Sequence, residues 1–408
     1  MNTWKIVLRN LKNKPLYTFL SVFSLSISIA LLLGVLQLDA SVQNQFKNSL
    51  GDVDLVVGAK GSPLQLVLSS VLHVDNPTGN ISYPEAIKLT RNPLIKNAAP
   101  ISYGDNYKGY RIVGTTPAFD SFYAAEIATG TSPKTSMEAV IGSEVAQKLG
   151  LQLGDTFKSA HGLTDGAIEE HDAEFKVVGI YKKSYKVLDR LIITTLESIW
   201  DVHDHEEHEV HEEHEEHEHE EAHQHEAKEV TSLLLSFRSP VGLLTTPRMI
   251  NEQTNMQAAL PRFELDRLFK FTGIGIQAIS WIAYIILIIS CITIFISLYK
   301  MVKERAFDLA LMRTYGASNL KISTIIALEG ICIVVLSLLI GFALSQLGLH
   351  FVFTILKSSL QQDIMSTLPL QSFLYTVILI LAVILIGITM AIVPLFKMNI
   401  SKILSDEK

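Results

Sequence analysis

Between His203 and His225 the chain reads HDHEEHEVHEEHEEHEHEEAHQH. Nine of its 13 histidines lie there: His203, His205, His208, His211, His214, His217, His219, His223 and His225. Imidazole nitrogen and carboxylate oxygen together suit zinc, nickel or copper. On a helix, His208, His211, His214 and His217 would recur at i, i+3, so neighbouring pairs can chelate. No fixed tetrahedral spacing stands out, which predicts several exchangeable sites of modest affinity. Three roles stay open. The stretch can be a solvated acidic loop that takes metal incidentally, an element that captures or senses zinc, or a loop whose charge follows pH, because imidazole titrates at about pH 6.5. His73, His161 and His171 stand singly, as surface or packed histidines usually do.

A second polar cluster lies in YKMVKERAFDLALMRTYGASNLKISTIIALEG, residues 299–330. Glu304, Arg305, Asp308 and Arg313 give a short helix a polar surface; Phe307, Leu309, Leu311 and Met312 give it an apolar one. Gly316-Ala317-Ser318 predicts a turn, with Ser318 placed to cap the next helix. The segment is a connector anchored among headgroups or a docking helix for a partner. Catalytic motifs are missing. There is no GxxxxGK[ST]; GAKGSP (58–63) lacks the lysine followed by Ser or Thr. There is no GxSxG; the HEEH units are one residue too short for HExxH, and HEEAH (219–223) has that spacing only as part of the low-complexity His/Glu repeat. No catalysis is expected on this chain.

The elements that position these clusters follow from hydropathy. Of 408 residues, 48% are hydrophobic. Leu16–Leu38, Phe271–Tyr299, Gly330–Leu349 and Ile364–Phe396 carry no charge. Each reaches the roughly 20 residues that cross a bilayer as a helix. The first could be a signal peptide, but its length and the lack of a small-x-small cleavage pattern favour a retained helix. Lys5, Arg9, Lys12 and Lys14 flank the first run. Five basic residues against Glu304 and Asp308 separate the second from the third, and Lys397, Lys402 and Lys408 follow the fourth. These flanks are expected to be cytoplasmic, which puts the segment from about Asp39 to Lys270 outside. Cys291 and Cys332 both fall in membrane helices, where they are read as packing residues; no disulfide framework exists.

The net charge of −7 is local in origin. Residues 201–229 hold 14 of the 41 acids and one of the 34 basic residues; the remainder, 27 against 33, is a balance of +6. The His/Glu stretch is low-complexity with no hydrophobic face, so it builds no core. Around it the outer segment alternates strand-like runs (53–59, 109–116, 139–145, 175–181, 191–196) with helical ones (62–72, 83–91). From Met249 to Phe271 it reads as a charged helix running into the second span. WKIVLRNL (4–11) reads as an interfacial helix, with Trp4, Ile6, Val7 and Leu11 toward lipid. The fold class is an α-helical membrane protein of four transmembrane helices, with an α+β extracytoplasmic domain inserted between helices 1 and 2.

The run KERAFDLALMRTYGAS, followed by Ile and then LEG, resembles the signature of the FtsX-like permeases, membrane subunits of ABC transporters of the macrolide-efflux and lipoprotein-release type. VPLFKMNISKIL (393–404) resembles the family's closing pattern, with Met398 where Ala is common and Ile400 or Ser401 where Pro is usual. RIVGTTPAF, AVIGSEVAQKLGLQLGDTF and FKVVGIYKKSYKVLDRLIITTLESIW resemble the MacB-like periplasmic core domain. Together with the hydropathy and charge readings, the resemblance gives the following layout: 1–14, cytoplasmic amphipathic helix; 15–38, first span; 39–270, core domain and stalk, carrying the 201–229 insert; 271–299, second span; 300–320, coupling segment; 321–349, third span; 350–370, outer loop; 371–396, fourth span; 397–408, tail.

It also implies a homodimer that binds two ABC ATPase subunits, with ATP on the partner, in a bacterial inner membrane with both termini cytoplasmic. A periplasmic adaptor or substrate-binding protein is a further expected partner; nucleic acid is not. Glu304, Arg305, Asp308, Arg313, Gly316 and Glu329 would be the coupling residues, Glu329 through a structural pairing. Zinc on the insert is the one cofactor contemplated. The alternative reading is a metal-binding membrane sensor or scaffold.

Overall fold

A computed structural model describes residues 3–13, 15–160, 170–202, 228–360 and 370–396. In chain order the elements begin with α1 (Thr3–Asn13), α2 (Pro15–Ser49), β1 (Leu55–Ala59), α3 (Pro63–Ser70), β2 (Ile81–Ser82), α4 (Tyr83–Leu89), β3 (Ile95–Tyr107) and β4 (Tyr110–Thr115). Then come α5 (Ala118–Tyr123), β5 (Ile127–Gly130), β6 (Glu138–Ile141), α6 (Ser143–Leu149), β7 (Thr156–Ala160), β8 (Glu170–Tyr181) and β9 (Ile192–Thr195). A helix, α7, covers 196–202. The chain continues with β10 (Glu229–Val230), β11 (Ser232–Phe237), α8 (Val241–Gln253), β12 (Met256–Ala259), α9 (Pro261–Glu304), α10 (Ala306–Thr314), α11 (Asn319–Leu360) and α12 (Leu370–Phe396). Two compact units result: residues 1–41, 272–355 and 366–408 form one, residues 42–271 and 356–365 the other.

In the helical unit, the first three charge-free runs lie within α2, α9 and α11 and the described part of the fourth forms α12; each helix is long and apolar enough to cross a membrane. Val22, Leu25, Ile29 and Leu33 of α2 pack with Leu287, Ile294 and Leu298 of α9, Ile333 and Val334 of α11, and Ile380 and Ile388 of α12. Hydroxyls join the helices where side chains are small. Ser290 Oγ lies 2.9 Å from Ser24 Oγ and 2.7 Å from Ser28 Oγ, and Ser26 donates to the Ser337 carbonyl at 3.3 Å. A bilayer offers no water to these groups, so they bond to one another. The faces left exposed are large and apolar, such as Ile282, Ile285, Ile289, Ile292 and Ile296 along α9. Cys291 and Cys332 are not joined in a disulfide.

The other unit is built on one ten-stranded sheet ordered β12-β1-β11-β3-β4-β9-β6-β8-β5, with β7 pairing β3 and β8. Pairs β4–β9 and β6–β8 are parallel. The central strands are apolar on both faces, because helices cover both. In β1, Val56 joins the cluster formed with α3 and α5, while Leu55 and Val57 join the one formed with α8. This is the two-residue alternation of a strand. Phe46 of α2 and Leu265, Leu268 and Phe269 of α9 pack into the first cluster.

Three expectations need correction. Residues 139–145 are not one strand: β6 stops at Ile141, and Gly142 caps α6. A Cβ on Gly142 would lie 2.2 Å from the Asp189 carbonyl oxygen, so glycine is required by the close approach. The stretch from Met249 into the second span is not one helix. Thr254 is extended, β12 follows and pairs β1, and Pro261 starts α9 afresh. In α1, Val7 is fully buried and Leu11 packs against the bundle, so the exposed apolar side chains are Trp4 and Leu8.

Candidate functional site

The polar cluster of 299–330 is built around a broken helix. Glu304 ends α9, and Arg305 leaves helical geometry at φ −108°, ψ 16° before α10 begins. At the other end Gly316 takes φ +90°. The Ala317 N–H donates to the Met312 carbonyl and the Gly316 N–H to the Arg313 carbonyl, both at 3.0 Å. This is the Schellman termination, which needs a left-handed residue and so favours glycine. Ser318 then caps α11, its Oγ accepting from the Lys321 N–H at 3.3 Å.

One side of α10 is anchored. Leu309 and Ala310 are buried, and Leu309 clusters with Val302, Ile322 and Ile326. Phe307, Leu311 and Tyr315, spaced i, i+4, i+8, are 39%, 40% and 85% exposed, and Leu320 is 76% exposed. Phe307, Leu311 and the C-capping Tyr315 form a stripe on one face of α10, and Leu320 lies beyond the turn on α11. Sequence reasoning assigned the coupling role to polar residues; the structure draws attention to this apolar stripe. Its signal was the four-residue spacing of aromatic and leucine side chains.

The predicted polar residues differ in exposure. Glu304 is exposed, Arg313 is half-buried, and Gly316 forms the turn. Asp308 lies on α10, its side chain outside the described set. Arg305 and Glu329 come together: Arg305 Nη1 is 3.6 Å from Glu329 Oε1, with side chains 18% and 3% exposed. Asn10 of α1, not anticipated, donates its amide N–H to the same Oε1. A clue was present, because Asn10 sits one turn from Val7 on the buried side of α1.

The His/Glu stretch, with all nine of its predicted ligands, lies outside the described residues. Its two ends are well defined. Val230 and Glu229 of β10 pair with Ile81 and Ser82 of β2. The Trp200 indole N–H donates to the Glu229 carbonyl at 2.9 Å, and the Lys228 ammonium sits 4.4 Å from the Trp200 ring centroid. Tyr83 packs edge-on to Trp200, and its N–H donates to the Lys228 carbonyl at 2.9 Å. Among the described residues no group of three or more His, Cys, Asp or Glu could hold a metal ion.

His73, expected to be an ordinary packed or surface histidine, is 4% exposed. Its Nδ1 lies 2.6 Å from the Tyr103 hydroxyl, while Nε2 has no hydrogen-bond partner. Tyr103 Oη also donates to the Ser69 carbonyl, so Nδ1 carries the donating hydrogen and Nε2 is a bare acceptor. Burial, with Arg190 and Arg111 nearby, pushes the imidazole well below its usual 6.5. A recess of about 560 Å³ is lined by Gln45, Lys47, Asp52, Phe122, Tyr185 and Lys186, among others. No pocket had been legible in the sequence. The Gln45 amide donates to the Tyr185 carbonyl at 2.7 Å, fixing one wall.

Comparison with known proteins adds the family. Residues 18–228 match the MacB-like periplasmic core domain, and residues 280–400 match the FtsX-like permease C-terminal domain. Among solved structures, the periplasmic region of MacB from Actinobacillus actinomycetemcomitans is similar at 8% identity, covering 54% of this chain and 94% of that one, with a TM-score of 0.35. The extracellular domain of the noncanonic ABC-type transporter YknZ from Gram-positive bacteria is similar at 11% identity, covering 50% of this chain and 98% of that one, with a TM-score of 0.31. No curated protein matches the chain. With the core-domain match alone spanning more than half of its length, and the FtsX-like half following, the chain belongs to the MacB/FtsX family of ABC transporter permeases.

Proposed function

We propose that this permease couples ATP hydrolysis on a separate ABC ATPase subunit to conformational work of its core domain, for export or extraction of a substrate. The observation that carries the proposal is the stripe of Phe307, Leu311 and Tyr315, exposed on a helix whose other side is anchored. An apolar stripe on a short helix is the form taken by helices that enter a partner's groove. The chain lacks a phosphate-binding loop of its own, so ATP would sit on the partner. The basic flanks of the spans favour cytoplasmic termini and a cytoplasmic α10, in a bacterial inner membrane. Two copies of the permease would receive two ATPase subunits, and a periplasmic adaptor or substrate-binding protein would meet the core domain.

The test is a double substitution, Phe307→Ser with Leu311→Ser, read by ATPase stimulation in nanodiscs. The half-saturating permease concentration should rise about tenfold or more, as for loss of anchor residues, with membrane insertion unchanged. Wild-type stimulation would sink the docking reading. Arg305 is a poorer probe, because it is also committed to Glu329.

A second reading concerns metal. Nine imidazoles among glutamates have the donor chemistry for zinc, and the clasp at Trp200 and Lys228 holds both ends of the stretch on the core domain. Zinc binding there would link transport to zinc supply, or make the chain a metal sensor. Zinc would be titrated calorimetrically into the full-length chain, with and without residues 203–225. Micromolar or tighter binding that vanishes with the deletion supports the metal role; binding indifferent to the deletion removes it.

A further inference from the structure

Three segments far apart in the chain converge on one carboxylate. Glu329 Oε1 receives the Asn10 amide of α1 and faces the Arg305 guanidinium. Glu329 is 2% exposed, so it cannot exchange these partners for bulk water. Arg305 is the one residue between α9 and α10, and its non-helical backbone makes the elbow that aims α10. Any change in the elbow therefore moves one partner of a buried carboxylate whose other partner is on α1.

The surface of α1 fits a part that moves with this joint. One side, with Val7 buried and Leu11 packed on the bundle, is seated. Trp4 and Leu8 are exposed, and so are Lys5, Arg9 and Lys12. Apolar and basic side chains together suit the headgroup boundary of an anionic membrane. Asn10 ties α1 to α11, while Leu11 packs on the bundle and its carbonyl accepts from the Thr18 hydroxyl of α2 at 3.2 Å.

We propose that Glu329 is a positioning residue that ties α1 to the α9–α10 elbow, so that the N-terminal helix is part of the coupling device rather than a passive membrane anchor. The inference rests on the reading of α10 as the docking helix. Its two ties are separable by substitution. Asn10→Ala removes the tie to α1 alone. Glu329→Gln keeps an acceptor for Asn10 and removes the charge opposite Arg305. Glu329→Ala removes both.

The experiment is amide exchange by mass spectrometry on the full-length permease in anionic-lipid nanodiscs, followed by ATPase stimulation with the partner subunit. Exchange should quicken about tenfold in α1 alone for Asn10→Ala, in residues 300–316 alone for Glu329→Gln, and in both for Glu329→Ala. Asn10→Ala should also lower the maximal stimulated rate about fivefold while leaving the half-saturating permease concentration unchanged. A merely structural loss would not split these two quantities. Unchanged α1 exchange in Glu329→Ala, or a wild-type maximal rate in Asn10→Ala, overturns the proposal. Glu329→Gln is nearly isosteric and keeps the test decisive where the alanine variant fails to fold. The exchange arm needs no ATPase, so failure of the docking reading, seen as wild-type stimulation by the Phe307/Leu311 variant, is distinguishable from failure of the tie.

Discussion

Glu329 in the helical unit and His73 in the sheet unit are almost equally hidden from water, at 2% and 4% exposure. Their neighbours differ in kind. Glu329 has an opposite charge and an amide donor on one of its oxygens. His73 has a tyrosine hydroxyl on one nitrogen, nothing on the other, and two arginines nearby. The first site is built around a partner and fails when the partner is removed. The second is built around neutrality and fails when a proton arrives. A buried ionisable group is thus informative only together with the sign of what surrounds it.

The largest effect should come from halving the ion pair. Arg305→Met leaves a buried carboxylate facing only Asn10, and loss of one partner of such a pair costs about 3–5 kcal/mol. The double variant Arg305→Met/Glu329→Leu should recover most of that loss. Chemical unfolding in detergent measures both; a double variant no better than the single one would mean the pair contributes as isolated contacts.

An intermediate effect belongs to His73. Its pKa is lowered on folding, so the unfolded chain binds the extra proton. The contribution is intact above about pH 6.5 and is lost as pH falls, by at most about 1.4 kcal/mol per pH unit. Denaturant midpoints between pH 7.5 and 5.5, taken on the chain lacking 203–225 so that its nine imidazoles do not contribute, should fall. His73→Phe should flatten the slope. An unchanged slope would place the acid sensitivity elsewhere.

The smallest effect is at Gly316, which touches nothing that a Cβ would meet within 4 Å. Gly316→Ala should therefore cost only the left-handed conformation, about 1–2 kcal/mol. A clash-free site losing much more would imply that α10 and α11 share a tighter turn than the hydrogen bonds require.

Much of this was legible because it is periodic. Charge-free runs long enough for a bilayer can be read without context, and so can a Gly-Ala-Ser turn between helices. The alternating strands around residues 55, 112, 177 and 193 were legible for the same reason. What escaped reading depends on partners far along the chain. β12 is four residues of unremarkable composition that become a strand because β1 offers an edge. Asn10 looks like a polar residue on a surface helix until Glu329, 319 residues later, lies beside it. The recess beside Gln45 is walled in part by a loop 140 residues away that is bonded to α2. In the coupling segment the polar residues drew attention by their chemistry. The exposed apolar ones share a four-residue spacing, but that spacing does not tell which side of α10 is already occupied.

The clasp of Trp200, Tyr83 and Lys228 has a consequence for engineering. It joins the two margins of the 203–227 stretch through β10 and β2, so the sheet does not depend on what lies between them. Doubling the length of a closed loop adds only about 0.6 kcal/mol. The position is therefore a splice port, where a fluorescent reporter or another ligand-binding module can be grafted without redesigning the scaffold that carries it.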